Sequence, residues 1–204
     1  MKQLVNIILA SGSPRRKELL EQAGLDFEIL VTDADETIDI TEPENIVEEL
    51  SKRKAMAAAR SYLGNGFGDE RDALIVSADT VVAYDGKVMG KPRNEKDALD
   101  ILMTLSGKTH DVYTGVSCIL VSDKGIKECS SFVQRTKVTM YSFSEEEALD
   151  YISTGEHSDK AGAYGIQGFG ARLVERIEGD YNNVVGFPLA AFLRSGMGRY
   201  FDFS

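Results

Sequence analysis

Residues 109–142, THDVYTGVSCILVSDKGIKECSSFVQRTKVTMYS, contain two long stretches that are rich in β-branched and aromatic residues. Such residues favour β-strands. The SDKG segment between the stretches is typical of the turn in an antiparallel hairpin. We therefore predict paired strands over 109–121 and 126–142. Because a hairpin adds antiparallel pairing, the sheet should be mixed rather than purely parallel.

Strands and helices alternate along the rest of the chain, which is typical of an α/β fold. Further strands are predicted over 4–10, over 27–31, over one or two segments of 73–84, and within ARLVERI (171–177). Helices are predicted over 14–23, from about 41 to 63, over 95–105, from about 144 to 153, and from near 188. Tight turns are expected at Asp85–Gly86, and GNGFGDERD (64–72) is predicted to be a flexible loop.

Capping residues mark the predicted helix starts. The predicted signals are Ser13 followed by Pro14, a Thr41–Glu44 capping box, Asn94, and a Ser144–Glu147 capping box. Gly24 and Gly107 are predicted to end helices. We expect a mixed, twisted sheet with flanking helices.

The chain has 204 residues, enough for one large domain. We predict a single domain over 1–204 with two lobes around a central cleft, although no lobe boundary can be read from the sequence. The net charge of −10 argues against a general nucleic-acid surface, which needs a basic face. An anionic substrate would have to be attracted by a local cluster of cations.

The N-terminal segment MKQLVNIILASGS has some features of a signal peptide. However, Asn6 interrupts its apolar core, and an amphipathic pattern follows at once, so we interpret it as a buried first strand. No apolar run approaches the ~20 residues of a membrane span. These observations predict a cytoplasmic protein. Cys118 and Cys129 lack metal-ligand spacing and are predicted to be small buried residues in a reducing compartment.

Some segments resemble common functional motifs but do not match them when the spacing and context are checked. GKT (107–109) is not a P-loop, because position 102 is leucine where that motif needs glycine. GNGFG follows a predicted helix, whereas a dinucleotide-binding fingerprint follows a strand. His110 and His157 are too few for a histidine metal cluster, and a general-base role for either one stays open.

Two arginines at the start of the first helix need an explanation. Arg15 and Arg16 follow Pro14 directly, where the helix dipole disfavours cations by about 0.3–1 kcal/mol each. They could simply extend over apolar neighbours into solvent. Alternatively, an anion bound at the helix N-terminus would offset this cost, held by backbone N–H groups and bidentate guanidiniums. Ser11 and Ser13 would add hydrogen-bond donors.

A second polar group lies in SADTVV, where Asp79 and Thr80 stand between the apolar segments ALIV and VVAY. Asp79 is a poor strand residue, so it marks a turn, a hydrogen-bonded edge position, or a carboxylate at a strand end that binds a metal or activates water. Lys91 lies in the frame GKP. On their own, Lys54 on the long helix and Glu36 in an acidic loop would be interpreted as surface charges.

Several blocks together resemble the Maf family of nucleoside triphosphate pyrophosphatases. The blocks are ILASGSPRRKELL, SADTVV, GKPR, KTHDVYTGV and DKAGAYGIQGFGARLVERIEGDYNNVVGFP, which follow the family's order from about residue 7 to residue 193. The resemblance implies a two-lobed α/β fold similar to that of inosine triphosphatases. It also implies a metal-dependent hydrolase that converts a nucleoside triphosphate to the monophosphate and pyrophosphate, and a homodimer.

The resemblance also implies roles for individual residues. Asp79 matches the general base and, with Glu36, could hold Mg²⁺ or Mn²⁺. Basic positions of the family match Arg16, Lys54 and Lys91, which would bind the polyphosphate together with Ser11 and Ser13. In the subfamily acting on dTTP and UTP, the residues that distinguish substrates match Arg15, Thr80 and Gln167. The YGIQG segment departs from the motif of the subfamily that acts on 7-methyl-GTP.

Two alternative functions stay open. The family name records a link with septum formation, so a nucleotide-binding regulator of cell division is one alternative. A pyrophosphatase for non-canonical purine triphosphates is the other. Selectivity between normal and modified pyrimidine nucleotides cannot be decided from the residues.

Overall fold

The computed structural model describes residues 2–64 and 72–202. The predicted loop over 64–72 therefore lies almost entirely outside the described residues. Within the described part, no helix has both the length and the apolar character needed to cross a bilayer.

Strands and helices alternate in the structure much as the sequence predicts. The strands are β1 (Lys2–Gln3), β2 (Asn6–Leu9), β3 (Phe27–Ile29), β4 (Ala73–Tyr84), β5 (Lys87–Met89), β6 (Thr109–Ser122), β7 (Gly125–Met140), β8 (Val174–Glu178) and β9 (Phe201–Asp202). The α-helices are α1 (Pro14–Gln22), α2 (Pro43–Gly64), α3 (Glu95–Leu105), α4 (Glu145–Ser153), α5 (Tyr181–Val185) and α6 (Leu189–Arg194). Short 3₁₀ helices cover Ala161–Ala163, Gly168–Leu173 and Gly196–Tyr200.

The main sheet is mixed, as predicted. Its strand order is β3-β2-β4-β6-β7-β8, and β5 pairs with β4. Strand β2 runs parallel to β3 and β4, whereas β4, β6, β7 and β8 pair antiparallel in succession. The hairpin of β6 and β7 pairs Ser122 with Gly125 at its turn and Thr109 with Thr139 at its open end. The hairpin prediction is confirmed.

Apolar residues cover both faces of the parallel part of the sheet. In β4, Leu74 and Val76 pack into one cluster with residues of α1 and α6. Ala73 and Ile75 point to the opposite face, where they pack against the alanines of α2. This alternation follows from the period of two in a β-strand. A third cluster packs α3 and α4 against the other end of the sheet.

The helix starts confirm most of the capping predictions. The Asn94 side chain accepts a hydrogen bond from Asp97 N, and Ser144 and Glu147 form the predicted capping box. The prediction at Ser13 is half right, because it occupies the N-cap position of α1 but its side chain does not cap. Its neighbour Pro14 begins the helix, as predicted.

Other sequence-based boundaries are corrected by the structure. The long helix begins at Pro43, and Ile46 N donates to Glu42 O, so Thr41 lies before the cap. Proline disfavours helical geometry in the preceding residue, which explains the later start. The strand predicted over 4–10 is shorter in the structure, where β2 covers only Asn6–Leu9, and neither β1 (Lys2–Gln3) nor the short helix α5 was predicted. Cys118 is buried as predicted, but Cys129 is exposed, because the first part of β7 is largely open to solvent.

Gly115 allows α2 to pack closely on β6, and it stands opposite Asp79 in the strand register. A Cβ atom at this position would lie 2.3 Å from Val47 O, a backbone atom that cannot turn away. We expect Gly115→Ala to lower the free energy of unfolding by about 1–3 kcal/mol, the usual cost of overpacking.

Denaturant unfolding followed by circular dichroism would measure this change. Gly196→Ala is the matched control, since a Cβ there meets no atom within 4 Å. Equal stability of the two variants would contradict the close approach of α2 to β6.

Candidate active site

One cavity collects nearly all of the predicted site residues. Its volume is about 420 Å³. It is lined by Ser13, Arg15, Arg16, Glu36, Lys54, Asp79, Thr80, Lys91 and Gln167, among others. Ser11 lines an adjoining cavity of about 350 Å³, which shares Ser13, Arg15, Arg16, Glu36, Lys54 and Lys91 with the first. Residues that are remote in sequence therefore meet around one hollow.

An ion-pair cluster occupies the centre of the hollow. Asp79 lies in the middle of β4, and the helix α2 crosses above it and carries Lys54. Lys54 Nζ lies 2.5 Å from Asp79 Oδ1 and 2.9 Å from Glu36 Oε1. The Asp79 side chain is only 14% exposed, whereas that of Glu36 is 63% exposed. The hydrogen bond from Lys54 lowers the pKa of Glu36, although partial burial opposes this shift.

The carboxylates of Asp79 and Glu36 fit a divalent cation that shares its coordination with a substrate. Both lie within hydrogen-bonding distance of the same nitrogen atom, so their oxygens converge on one point. Over residues 2–64 and 72–202 there is no group of three or more metal-ligating side chains. Mg²⁺ is commonly bound by one or two carboxylates plus phosphate oxygens and water. The donor set is therefore suited to Mg²⁺ that arrives with a polyphosphate, rather than to a closed structural metal site.

Arg16 is a partly buried cation whose direct partners are neutral. Its Nε donates to Gly186 O at 2.8 Å, Nη1 to Ser11 Oγ at 3.1 Å and Nη2 to Thr80 Oγ1 at 3.1 Å. In the described part of the chain, no carboxylate forms a salt bridge with it. Burial lowers its pKa, and the charge of Asp79 opposes that shift. A guanidinium carries five N–H donors, so two remain for a ligand after these three bonds.

Among the described residues, Arg15, unlike Arg16, has a carboxylate partner. Its Nη1 lies 2.9 Å from Asp159 Oδ2, and Lys160 Nζ lies 2.7 Å from Asp159 Oδ1. Partial burial alone would raise the pKa of Asp159, but hydrogen bonds from Lys160 and Arg15 outweigh it and lower the pKa to about 2. Asp159 and Lys160 begin the DKAGAYG block, and no role was predicted for either residue from the sequence.

The remaining predicted residues differ in exposure. Lys91 and Gln167 are exposed at the cavity rim. Ser11 is buried and accepts hydrogen bonds from both Arg16 and the backbone N–H of Ser13. Thr80 contacts Arg16 directly, a contact that the sequence could not indicate.

Neither histidine lines the two cavities described above. His110 is buried, and its Nε2 lies 2.8 Å from the hydroxyl of Tyr164, which does line the larger cavity. Burial lowers the pKa of His110 to about 4. The histidine therefore supports the cavity wall from behind and does not face the hollow.

Comparison with known proteins identifies the family. A family model described as Maf-like protein matches residues 6–195. The dTTP/UTP pyrophosphatase of Lachnoclostridium phytofermentans is 48% identical over 187 residues, covering 92% of this chain and 91% of that protein. A dTTP/UTP pyrophosphatase of Bacillus cereus is 48% identical over 189 residues, covering 92% of each.

Among solved structures, a nucleoside-triphosphatase / dITP/XTP pyrophosphatase from Mycobacterium abscessus covers 96% of this chain and 95% of its own, at 14% identity and a TM-score of 0.40. That likeness is too distant to support an argument about function. The sequence relatives and the family model cover most of the chain, and they agree with each other. The chain belongs to the Maf family.

Proposed function

We propose that this protein hydrolyses dTTP and UTP to the nucleoside monophosphate and pyrophosphate. Its relatives at 48% identity carry the name dTTP/UTP pyrophosphatase and align with more than nine-tenths of the chain. The observation that carries the proposal is Arg16, a partly buried guanidinium that forms no salt bridge with a carboxylate among the described residues. Such a charge is costly to bury unless an anion compensates it, and a polyphosphate is the anion that suits this hollow.

The polyphosphate would lie between the start of α1 and the Asp79 cluster. Arg16 would use its two remaining N–H donors on phosphate oxygens, and Lys91 would reach them from the rim. Ser11 and Ser13 border the same space and would contribute hydrogen bonds. Fixed donors of this kind stabilise charge that develops during phosphoryl transfer, which is the main contribution a protein makes to that reaction.

Asp79 would act as the general base. Its Oδ1 is held by Lys54 at 2.5 Å, which leaves the carboxylate oriented towards the cavity. The carboxylate would take a proton from the water that attacks phosphorus at the linkage between the α- and β-phosphates, and the bond from that phosphorus to the bridging oxygen would break to release the monophosphate and pyrophosphate. A positioned base of this kind typically contributes about 10²–10⁴-fold to the rate.

Glu36 and Asp79 would also hold a divalent metal, which we propose is Mg²⁺, with Mn²⁺ as a substitute. When bound, the metal would supply charge stabilisation to the leaving pyrophosphate. Lys54 contacts both carboxylates in the structure. It would keep them in place before the substrate arrives.

Three residues are proposed to distinguish substrates. Gln167 is exposed at the rim, and its amide offers both a donor and an acceptor. Thymine and uracil present an N3–H donor beside carbonyl acceptors, so they could pair with this amide. Arg15 and Thr80 line the same cavity. A homodimer, a cytoplasmic location and the absence of nucleic-acid partners stay predictions.

A turnover panel tests the proposed substrate class. We expect dTTP and UTP to be hydrolysed about 5-fold to 150-fold more efficiently than CTP, ITP, XTP and 7-methyl-GTP, because one lost polar match costs about 1–3 kcal/mol. Rates should be measured with Mg²⁺ and with Mn²⁺. Chromatography should identify the monophosphate and pyrophosphate as products.

The wild-type enzyme without added metal is the control for the cofactor. A preference for ITP or XTP would instead support the purine alternative. Release of inorganic phosphate, with the diphosphate as the other product, would contradict cleavage between the α- and β-phosphates.

A further inference from the structure

A chain of hydrogen-bonded polar groups runs from Arg16, which is partly buried, to Thr114 and Asn183 in the protein interior. Thr80 Oγ1, which accepts from Arg16, lies 2.9 Å from Thr114 Oγ1. Thr114 Oγ1 in turn donates to Asn183 O at 3.1 Å. Thr114 and Asn183 are both fully buried. Neither was assigned a role from the sequence.

The protons along this chain can be assigned in order. A threonine hydroxyl has one proton to donate. Thr114 donates its proton to Asn183 O, so its oxygen is left to accept the proton of Thr80. Thr80 has then used its own proton and can only accept from Arg16. Gly186 O also lies near Thr80 Oγ1, but at 3.5 Å it is the more distant acceptor.

Asn183 also anchors the second contact of Arg16. Its Nδ2 donates to Val112 O at 3.1 Å and to Thr136 Oγ1 at 3.0 Å, which ties α5 to β6 and β7. The backbone N–H of Gly186 is shared between the carbonyls of Asn182 at 3.0 Å and Asn183 at 3.1 Å. That turn presents Gly186 O to Arg16 Nε. Two of the three contacts of the guanidinium therefore depend on groups that are anchored by Asn183.

We propose that Thr114 and Asn183 are positioning residues, which orient the Arg16 guanidinium for the polyphosphate through the Thr80 hydroxyl and the Gly186 carbonyl. This inference rests on the proposed function in one respect, namely that Arg16 binds the polyphosphate of the substrate. Neither residue lines the two cavities, so they would act through Arg16 and not by touching the substrate.

Thr114→Val tests the proposal, because valine keeps the shape and removes the hydroxyl. We expect KM for dTTP and the dissociation constant for inorganic tripolyphosphate both to rise about tenfold, near the upper end of the usual effect of losing one neutral hydrogen bond, with kcat changed less than threefold. Thr114→Ser is the matched control. It keeps the hydroxyl and should retain near wild-type affinity, even if the lost methyl group lowers the melting temperature.

A double-mutant cycle separates positioning from general destabilisation. In an Arg16→Lys background, which cannot make the same forked contacts, Thr114→Val should have little further effect on tripolyphosphate affinity. An equal loss in both backgrounds, or unchanged affinity in Thr114→Val alone, would overturn the proposal. If Thr114→Val does not fold, Thr114→Ser alone decides: a tenfold loss of affinity despite the retained hydroxyl would also overturn it.

Tripolyphosphate binding distinguishes failure of this inference from failure of the proposed function. Calorimetry measures the affinity for tripolyphosphate, which depends on how Arg16 is oriented and does not require the protein to hydrolyse a nucleotide. Wild-type protein that binds tripolyphosphate but turns over no nucleotide would reject the proposed function only. Hydrolysis of dTTP by a Thr114→Val variant with wild-type KM would reject the positioning role only.

Discussion

Replacing Asp79 with asparagine should reduce kcat for dTTP and UTP by about 10²–10⁴-fold, the contribution typical of a general base. The change removes one proton-accepting oxygen and keeps the size of the side chain. Asp79 is partly buried and contacts Lys54 at 2.5 Å, so an amide at this position loses both the base and its ion pair. Steady-state kinetics with pyrophosphate detection would measure the effect.

The affinity for tripolyphosphate separates loss of chemistry from loss of binding in Asp79→Asn. Without added metal, removing a negative charge near the phosphates should not weaken tripolyphosphate binding, and any change should be towards tighter binding. Asp111→Asn is the matched control, because that carboxylate pairs with Arg135 and does not line either cavity. It should leave kcat within about twofold, as expected for a surface ion pair.

Two outcomes with Asp79→Asn would change the functional conclusion. Unchanged hydrolysis would reject the assigned base. Loss of hydrolysis with retained effects on septum formation in cells would favour a separate regulatory role, in which the protein acts by binding a nucleotide. Loss of both would tie any such effect to catalysis.

Replacing Arg16 with glutamine should raise the dissociation constant for tripolyphosphate by about 30-fold to 10³-fold, the range expected when a buried charge loses its partner. The same variant should be as stable as the wild type or more stable. The reason is that Arg16 is a partly buried cation held by three neutral oxygens, and removing a charge from water without an opposite charge costs free energy. Glutamine removes the charge and keeps hydrogen-bonding capacity.

Calorimetry should therefore show weaker binding of tripolyphosphate to Arg16→Gln, whereas denaturant unfolding should show no loss of stability. Arg172→Lys is the control, since Arg172 pairs with Asp150 away from the proposed polyphosphate site. It should change neither measurement appreciably. If Arg16→Gln instead unfolded the protein while Arg172→Lys did not, Arg16 would be a structural residue, and its lack of a carboxylate partner would not indicate a ligand.

The local features of the fold could be predicted from the sequence. The β6–β7 hairpin follows from two long β-branched stretches around SDKG, and the starts of α3 and α4 follow from Asn94 and Ser144. These features depend on residues close together in the chain, so their chemistry is visible in a short window. The helix boundaries were predicted less accurately, since α2 begins at Pro43 and not at about residue 41 as predicted.

The site residues could be named from the sequence only as separate motifs and through a resemblance. Nothing in the local pattern of Lys54 or Glu36 distinguishes these residues from ordinary surface charges. The structure brings both to Asp79, because α2 packs across β4 and Gly115 permits its close approach. Convergence of this kind depends on packing between elements, which local propensity does not determine.

By itself, the sequence determined the alternation of strands and helices, the hairpin and most of the caps, because each arises from interactions over a few residues. Only the tertiary structure decided that Arg16 would meet Thr80 and Gly186, which lie 64 and 170 residues further along the chain. It also decided that Cys129 would be exposed. Burial and long-range hydrogen bonds depend on how complete elements pack, so they became visible only once the sheet and its helices were assembled.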